Sequence, residues 1–525
     1  MRLTANGART AGLVYMALPT ALFFLFTLKW WLGIPAAALV AAACAVSCRR
    51  SDVSPALRPV PLAAAADSVK VKVWTLLAIS LLVLLWCVMA GQGGFVAQTW
   101  DWNSRNATLR DLVMHDWPVT YRGGTLALSY YIGHWVPPAL AGRLALALTG
   151  SAGTAWSVAN AVLLAWTFIG VMTVMALLSA MMGGDRPWKQ LLLLALLVFF
   201  SQTDRLGDCA IALAQRLVGD FCGKTYDSLW GWWTFQFSSN SELLYWVFNQ
   251  TVVPWIAILL VAGERSFSRT VFVVALCLLC GPMPAVGIAF FAAVSGLDAF
   301  ARSAKDAGAR GALVAAKDAL TFENAVGALV VVPLVYAYLS TNTRGGTFAP
   351  AWTGHEYFWK RYVLFVCCET GLYLLLAWRR RNVWWLAAAA WICICPLVKL
   401  GNSNDFCMRA SIPAFFVLMV LMAQTVAHGG PRRRLAALAA LACGSIAVFD
   451  MMGFFLRITL DSWPDVPSQD RIYTYARRIE DIKKIEWRDR AVFPDALANN
   501  LCVDPGNRFF YRRLARTPEE REMEE

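Results

Sequence analysis

The feature that most constrains this chain is a series of long apolar runs. Among them are VWTLLAISLLVLLWCVMAG (73–91), LLYWVFNQTVVPWIAILLVAG (243–263), NAVGALVVVPLVYAYL (324–339) and ASIPAFFVLMVLMAQTVA (410–427). A helix rises about 1.5 Å per residue, so about 20 apolar residues match the ~30 Å hydrocarbon core of a bilayer. With 58% hydrophobic residues and charge on only 15% of its 525 residues, the chain also has too little polar surface to solvate a soluble protein of this size. The expectation is an all-α polytopic transmembrane bundle. Helices are expected near 10–29, 31–48, 72–92, 154–182, 188–203, 243–263, 269–281, 284–301, 323–341, 359–378, 382–400, 407–428 and 433–458, about thirteen spans. TAGLVYMALPTALFFLFTLKWW (10–31) is too long for a cleaved leader and has no small-residue cleavage site, so the first helix reads as a retained signal anchor.

Basic residues fall in alternate connections. Arg49, Arg50, Arg58, Lys70 and Lys72 share one side with Arg186 and Lys189, Arg265 and Arg269, Arg302 to Lys317, Arg379 to Arg381, and Arg432 to Arg434. By the positive-inside rule that side is cytoplasmic, with the N-terminus, and the formal +13 charge is mainly a topology signal. No soluble basic face with interleaved aromatics suggests nucleic-acid binding. The outer side then receives 93–153, 204–242, 342–358, 401–406 and everything after about 459. That divides the chain into a membrane domain, 1–458, and a small exoplasmic tail, 459–525.

The outer loop 93–153 is long for a connection, and long connections are commonly functional. In WDWNSRNATLRDLVMHDWPV (100–119), a helix is expected over 103–115, capped by Asp101 or Asn103, with Leu109, Leu112 and Val113 as a narrow apolar stripe. Asp101, Arg105 and Thr108 share its polar face. Such a helix would lie flat in the interface, with Trp100, Trp102 and Trp117 at headgroup depth.

The same loop runs on through Ala107 and Arg110, HDWPV (115–119), YYIGHWVPP (130–138) and LAGRLALALTG (140–150). A second outer segment, GNSNDFCMRASIPAFFVL (401–418), places Arg409 just before a helix that begins with proline. In order and approximate spacing these pieces resemble the GT-C membrane glycosyltransferases, especially the aminoarabinose-to-lipid-A transferases and the protein O-mannosyltransferases. The resemblance implies a GT-C-like fold in a bacterial plasma membrane and transfer of a sugar from a polyprenyl-phosphate carrier to an envelope glycan, lipid or protein. It makes Asp101 the base that deprotonates the acceptor hydroxyl and Arg409 the clamp on the departing phosphate, which a guanidinium matches by forked, charge-assisted hydrogen bonds. Lys399, His134, Tyr131, Arg110 and Gln250 join the substrate-binding set. Where related enzymes pair acidic residues, this chain has Trp102 after Asp101, so Asp111 or Asp116 would supply the second carboxylate if a divalent cation is bound.

Other features bear less on function. Asn249 and Gln250 interrupt an apolar span and either join helices or line a cavity. Glu369, inside VLFVCCETGLYLLL, is expected to pack helices through a protonated carboxyl. Most of the fourteen cysteines lie in spans, and none has zinc spacing. Cys209 and Cys222 share an outer loop and could pair under oxidising conditions. The sequons NAT (106–108) and NQT (249–251) read as accidental. No Gly-rich loop suggests a nucleotide cofactor. The competing class is a transporter or lipid flippase, which would place its polar groups near mid-membrane rather than on one face.

Overall fold

The computed structural model describes residues 2–50, 61–63, 67–99, 101–121, 126–218, 235–264, 266–342, 348–353, 358–400, 405–461 and 502–517. The chain is an all-α membrane protein. Among the described residues, seven helices are long and apolar enough to cross a bilayer: Ala5–Thr27, Trp30–Arg49, Ala152–Met182, Pro282–Gly311, Phe322–Leu339, Phe358–Arg380 and Pro431–Asp461. Four shorter apolar helices accompany them, Val73–Met89, Pro187–Phe199, Val383–Leu397 and Ile412–His428. Two of the expected spans take another form. Residues 243–263 belong to a pair, Asn240–Trp246 and Phe248–Gly263, bent by 118°. The segment expected over 269–281 forms Thr270–Cys277, whose 8 residues reach only about 12 Å.

The bundle is built around helices that are apolar on every side. Val252–Gly263 is buried from Val252 through Ala262, and Ile412–His428 is buried along nearly its whole length, as a helix without a polar face must be. Peripheral helices leave leucines and tryptophans outward, as on Val73–Met89, where Trp74, Leu77 and Leu81 are all more than half exposed. Close crossings depend on small residues. A Cβ on Gly170 would come within 2.6 Å of the Tyr15 ring and 2.4 Å of Val252, so glycine lets three helices meet there. Gly91 and Gly93 have φ of 93° and 82°, left-handed values that let the chain turn sharply after Val73–Met89.

The connections sort to two ends. At the basic end, Arg50 forks onto Glu323 at 2.7 and 3.1 Å, and Arg269 bonds Glu264 at 2.6 Å and the Ser47 carbonyl. There too the Lys70 amide donates to Asp185, and Gln424 donates to the Leu62 carbonyl. At the other end, strand Leu126–Leu128 pairs with Thr120–Tyr121 and Cys502–Val503, while Phe348–Pro350 pairs with Val398–Leu400. Ala515 bridges Leu28 in the turn after the first helix, and Tyr511 donates to the Leu128 carbonyl at 2.6 Å. The described part of the tail, 502–517, therefore docks beside the 93–153 loop. Glu369 sits in a π-helical turn, Cys367–Gly371, where Thr203 donates to the carbonyls of Cys368 and Glu369. A π-turn loosens the regular carbonyl ladder, and Thr203 takes up the acceptors it releases.

Candidate functional site

The 100–119 stretch does form a helix, Trp102–Met114, one residue earlier than expected. It does not lie flat at an interface: Trp102 through Val113 are all buried. Trp102 is in the interior rather than at headgroup depth. Its ring stacks on Phe248 at 4.7 Å, and its indole N–H donates to the Tyr245 carbonyl at 2.9 Å. Trp117 is likewise buried and donates to the Leu112 carbonyl, and Trp100 lies outside the described residues. Helices Val136–Thr149 and Ala152–Met182 pack against it, and the short arm Asn240–Trp246 with the turn Phe248–Gln250 covers Trp102 and Arg105 at its start, so the face that a narrow apolar stripe alone would have left wet is closed.

Asp101 occupies the position before the helix with helical backbone angles and makes no side-chain cap. Its carboxylate Oδ2 instead meets Arg105, one turn on, at 3.3 Å. The Arg105 guanidinium also donates to the Tyr130 hydroxyl at 3.0 Å and to the Trp246 carbonyl at 3.2 and 3.4 Å. The Tyr130 and Tyr131 ring centroids are 3.8 Å apart. From the other half of the chain, the short helix Asp405–Ala410 brings in Arg409, which donates to the Tyr131 hydroxyl at 3.1 Å and pairs with Asp405 at 3.2 Å. The two outer segments singled out in the sequence thus converge on one tyrosine pair, and Asp101 and Arg105 both lie within electrostatic reach of Arg409.

Each half repeats a pattern. DWNSR (101–105) and DFCMR (405–409) both read as aspartate, aromatic, two residues, arginine. In each the aromatic is buried, the arginine is at least nine-tenths buried, and the aspartate is about one-third exposed at the rim. Burial opposes the charge of Arg409, but Asp405, Tyr131, Tyr130 and Asp101 outweigh it, so the guanidinium is held above its ordinary value. Arg105 is likewise raised against its own burial, by Tyr130, Asp101 and Tyr131. Burial pushes the Tyr131 phenol well up in spite of Arg409. The site therefore brings together two arginines, two tyrosines and two aspartates that stay about one-third exposed. Arg105 has partners at all three guanidinium nitrogens, whereas the Arg409 Nε has none among the described residues.

The remaining sequence candidates fall elsewhere. His134 is fully buried; its Nε2 lies 3.0 Å from the Thr167 hydroxyl and its ring stands edge-on to Phe248. Burial pulls its pKa down to about 3, so it is neutral and packs the interior. Arg110 and Asp111 are buried and bond each other at 2.6 Å. Asp111 also lies ten residues along the helix from Asp101, about 15 Å away, so these two carboxylates do not fit one cation. Asp116 is exposed and bonds Arg143 at 2.7 Å, tying the 115–119 turn to helix Val136–Thr149. Among the described residues no three His, Cys, Asp or Glu side chains come together as a metal site. Lys399 is half-buried in the Val398–Leu400 strand, opposite Ala349, at the same end as Arg409 but with no described contact to it. Asn249 and Gln250 form the turn at the helix bend and are fully buried, with none of their four amide atoms bonded among the described residues. Cys209 is a free, exposed thiol, and Cys222 lies outside the described residues.

Sequence reading assigned no role to Arg105, Tyr130 and Asp405. The signal for Arg105 and Asp405 is the repeated aspartate-aromatic-x-x-arginine pattern, which puts each carboxylate one helical turn from its arginine, and Tyr130 is marked only by standing next to Tyr131. Comparison with known proteins adds no constraint: no family model, no curated protein and no solved structure matches the chain.

Proposed function

We propose that the chain is a GT-C-type membrane glycosyltransferase of about thirteen spans, with an N-terminus in the cytoplasm. It transfers a sugar from a polyprenyl-phosphate carrier to an envelope acceptor at the end of the bundle opposite the basic connections. The observation that carries this reading is the convergence of Arg105, which engages Asp101, and of Arg409 on one tyrosine pair, from segments far apart in sequence.

The chemistry requires three things of the protein. The acceptor hydroxyl must lose its proton as its oxygen bonds the anomeric carbon, the bond from that carbon to the phosphate oxygen must break, and the phosphate must leave with its charge balanced. Asp101 takes the proton. Arg105 engages its Oδ2 and orients the carboxylate, which stays about one-third exposed. Arg409, whose Nε has no hydrogen-bond partner among the described residues and whose charge is secured by Asp405 and Tyr131, receives the phosphate. Tyr131 holds that guanidinium in place.

A second reading, transport or lipid flipping, is favoured by one observation: the bent helix with buried, unbonded amides at its break, Asn249 and Gln250. Binding tests the phosphate site on which the first reading rests. Purified protein should be stabilised against heat by a polyprenyl monophosphate but not by the matching polyprenol, and Arg409→Gln should abolish the shift. Equal stabilisation by phosphate and alcohol, or an unchanged shift in Arg409→Gln, would refute the phosphate site.

A further inference from the structure

At the basic end, two arginine triplets that are distant in sequence come together. Arg379, Arg380 and Arg381 end the helix Phe358–Arg380, and Arg432, Arg433 and Arg434 open the 31-residue helix Pro431–Asp461. Arg433 joins them by donating to the Leu376 carbonyl at 2.7 Å and the Leu375 carbonyl at 3.4 Å. Arg379 and Arg380 lie close enough for their charges to act on Arg433. Arg434 reaches the carbonyls of Ala427 and Gly429. Arg381 covers the face of Trp378 at 4.9 Å, and Trp378 stands edge-on to Trp385.

This arrangement is electrostatically unbalanced. Among the described residues no carboxylate pairs with any of the six arginines, although other basic-end arginines, Arg50, Arg269 and Arg302, each have one. One triplet also sits in the first turn of a long helix, where the helix dipole is positive and cations are disfavoured, and that turn holds no acidic residue. Arg433 and Arg434 serve backbone carbonyls, while Arg379, Arg381 and Arg432 are exposed and Arg380 is half-buried. The patch is flanked by outward apolar side chains: Leu375 is 72% exposed, Leu435 is 70% exposed and Trp378 is 46% exposed. Charge complementarity calls for an anion, and the apolar flanks call for one that carries hydrocarbon.

We propose that the Arg379–Arg381 and Arg432–Arg434 triplets form a binding site for an anionic phospholipid, one headgroup bearing two phosphodiesters across the arginines with its acyl chains along Leu375, Leu435 and Trp378. A headgroup with two phosphates engages guanidiniums from both helices at once and braces the ends of the two helices that Arg433 joins. The site is independent of the chemistry at the opposite end.

The test is native mass spectrometry of the full-length protein released from micelles containing cardiolipin, phosphatidylglycerol or phosphatidylcholine. One cardiolipin should be retained in preference to the other two. Arg379→Gln/Arg380→Gln/Arg432→Gln should reduce that retention at least about tenfold, the loss of one charge-assisted hydrogen bond or more. A control with equal charge loss at the same end, Lys305→Gln/Arg310→Gln/Lys317→Gln, should retain it. Arg432→Gln alone, at an exposed position, should give a smaller loss in a protein with unchanged thermal unfolding. Equal loss in the triple variant and the control would show a diffuse surface field instead of a site. Phosphatidylglycerol held as well as cardiolipin, or cardiolipin displaced by soluble polyphosphate, would also overturn the proposal.

Discussion

Arg105 and Asp101 are bonded to each other, yet removing them should have opposite consequences. Arg105→Met deletes a guanidinium that is only 6% exposed and leaves the Tyr130 hydroxyl and the Trp246 carbonyl without their donor. A buried polar group left unpaired costs about 1–3 kcal/mol, and methionine recovers part of that by filling the volume, so the net loss is about 3 kcal/mol. At roughly 2 °C per kcal/mol for a long chain, Tm should fall by about 6 °C. Asp101→Asn removes a carboxylate that is 34% exposed and loses only a screened attraction, worth less than about 1 kcal/mol. Its Tm should stay within about 2 °C of wild type, while transfer activity, which needs a base, should disappear. Thermal unfolding followed by tryptophan fluorescence, in one detergent and at one scan rate, measures the pair. An Arg105→Met protein as stable as wild type, or an Asp101→Asn protein as destabilised as Arg105→Met, would refute the assignment of Arg105 to positioning and Asp101 to chemistry.

Three further outcomes follow from burial. His134 titrates near 3 in the folded protein and near 6.5 when unfolded, so the unfolded chain binds its proton first and stability is lost as pH falls from 6.5 toward 3. His134→Gln should flatten the decline of unfolding free energy between pH 6.5 and 4.5 by up to about 1.4 kcal/mol per pH unit, read as a shallower fall of Tm; an unchanged slope would contradict the burial. Gln250→Met replaces a buried amide with no described partner by an apolar side chain of similar length, so stability should hold or rise by up to about 1 kcal/mol, with Tm unchanged or higher; a marked fall in Tm would mean that the amide is bonded in the folded protein. Arg269→Met strands the buried Glu264 carboxylate and should cost about 3–5 kcal/mol, most of it restored in Arg269→Met/Glu264→Leu. A double variant as unstable as the single one would show that the ion pair is not what Arg269 provides.

The long helices were legible because each must be apolar to sit in lipid, and expected and observed bounds differ by a few residues at Trp30–Arg49, Ala152–Met182 and Phe322–Leu339. The bend at 247 was legible only as an interruption: Asn249 and Gln250 mark a weak point in an apolar run, but whether a helix kinks there depends on what packs against it. The same limit hid the burial of Trp102–Met114. Its polar residues predict a wet face, and only the arrival of Asn240–Trp246 supplies the carbonyl that Arg105 needs. His134 looked like a ligand because of its neighbours in sequence, whereas its neighbours in space are Thr167 and Phe248. Arg409 is marked by its place just before a proline-started helix in a segment that resembles a GT-C loop, while its partner Asp405 and the parallel pair at 101–105 are visible only as a repeated aspartate-aromatic-x-x-arginine pattern.

The central claim is that Asp101 and Arg409 carry out sugar transfer. Its most direct test is mass spectrometry of envelope glycolipids and glycans from a deletion strain complemented with wild type, Asp101→Asn or Arg409→Gln at equal expression. The account predicts that wild type restores a sugar mass missing from the deletion strain and that neither variant does. Restoration by both variants, or an envelope unchanged by the deletion, would contradict it.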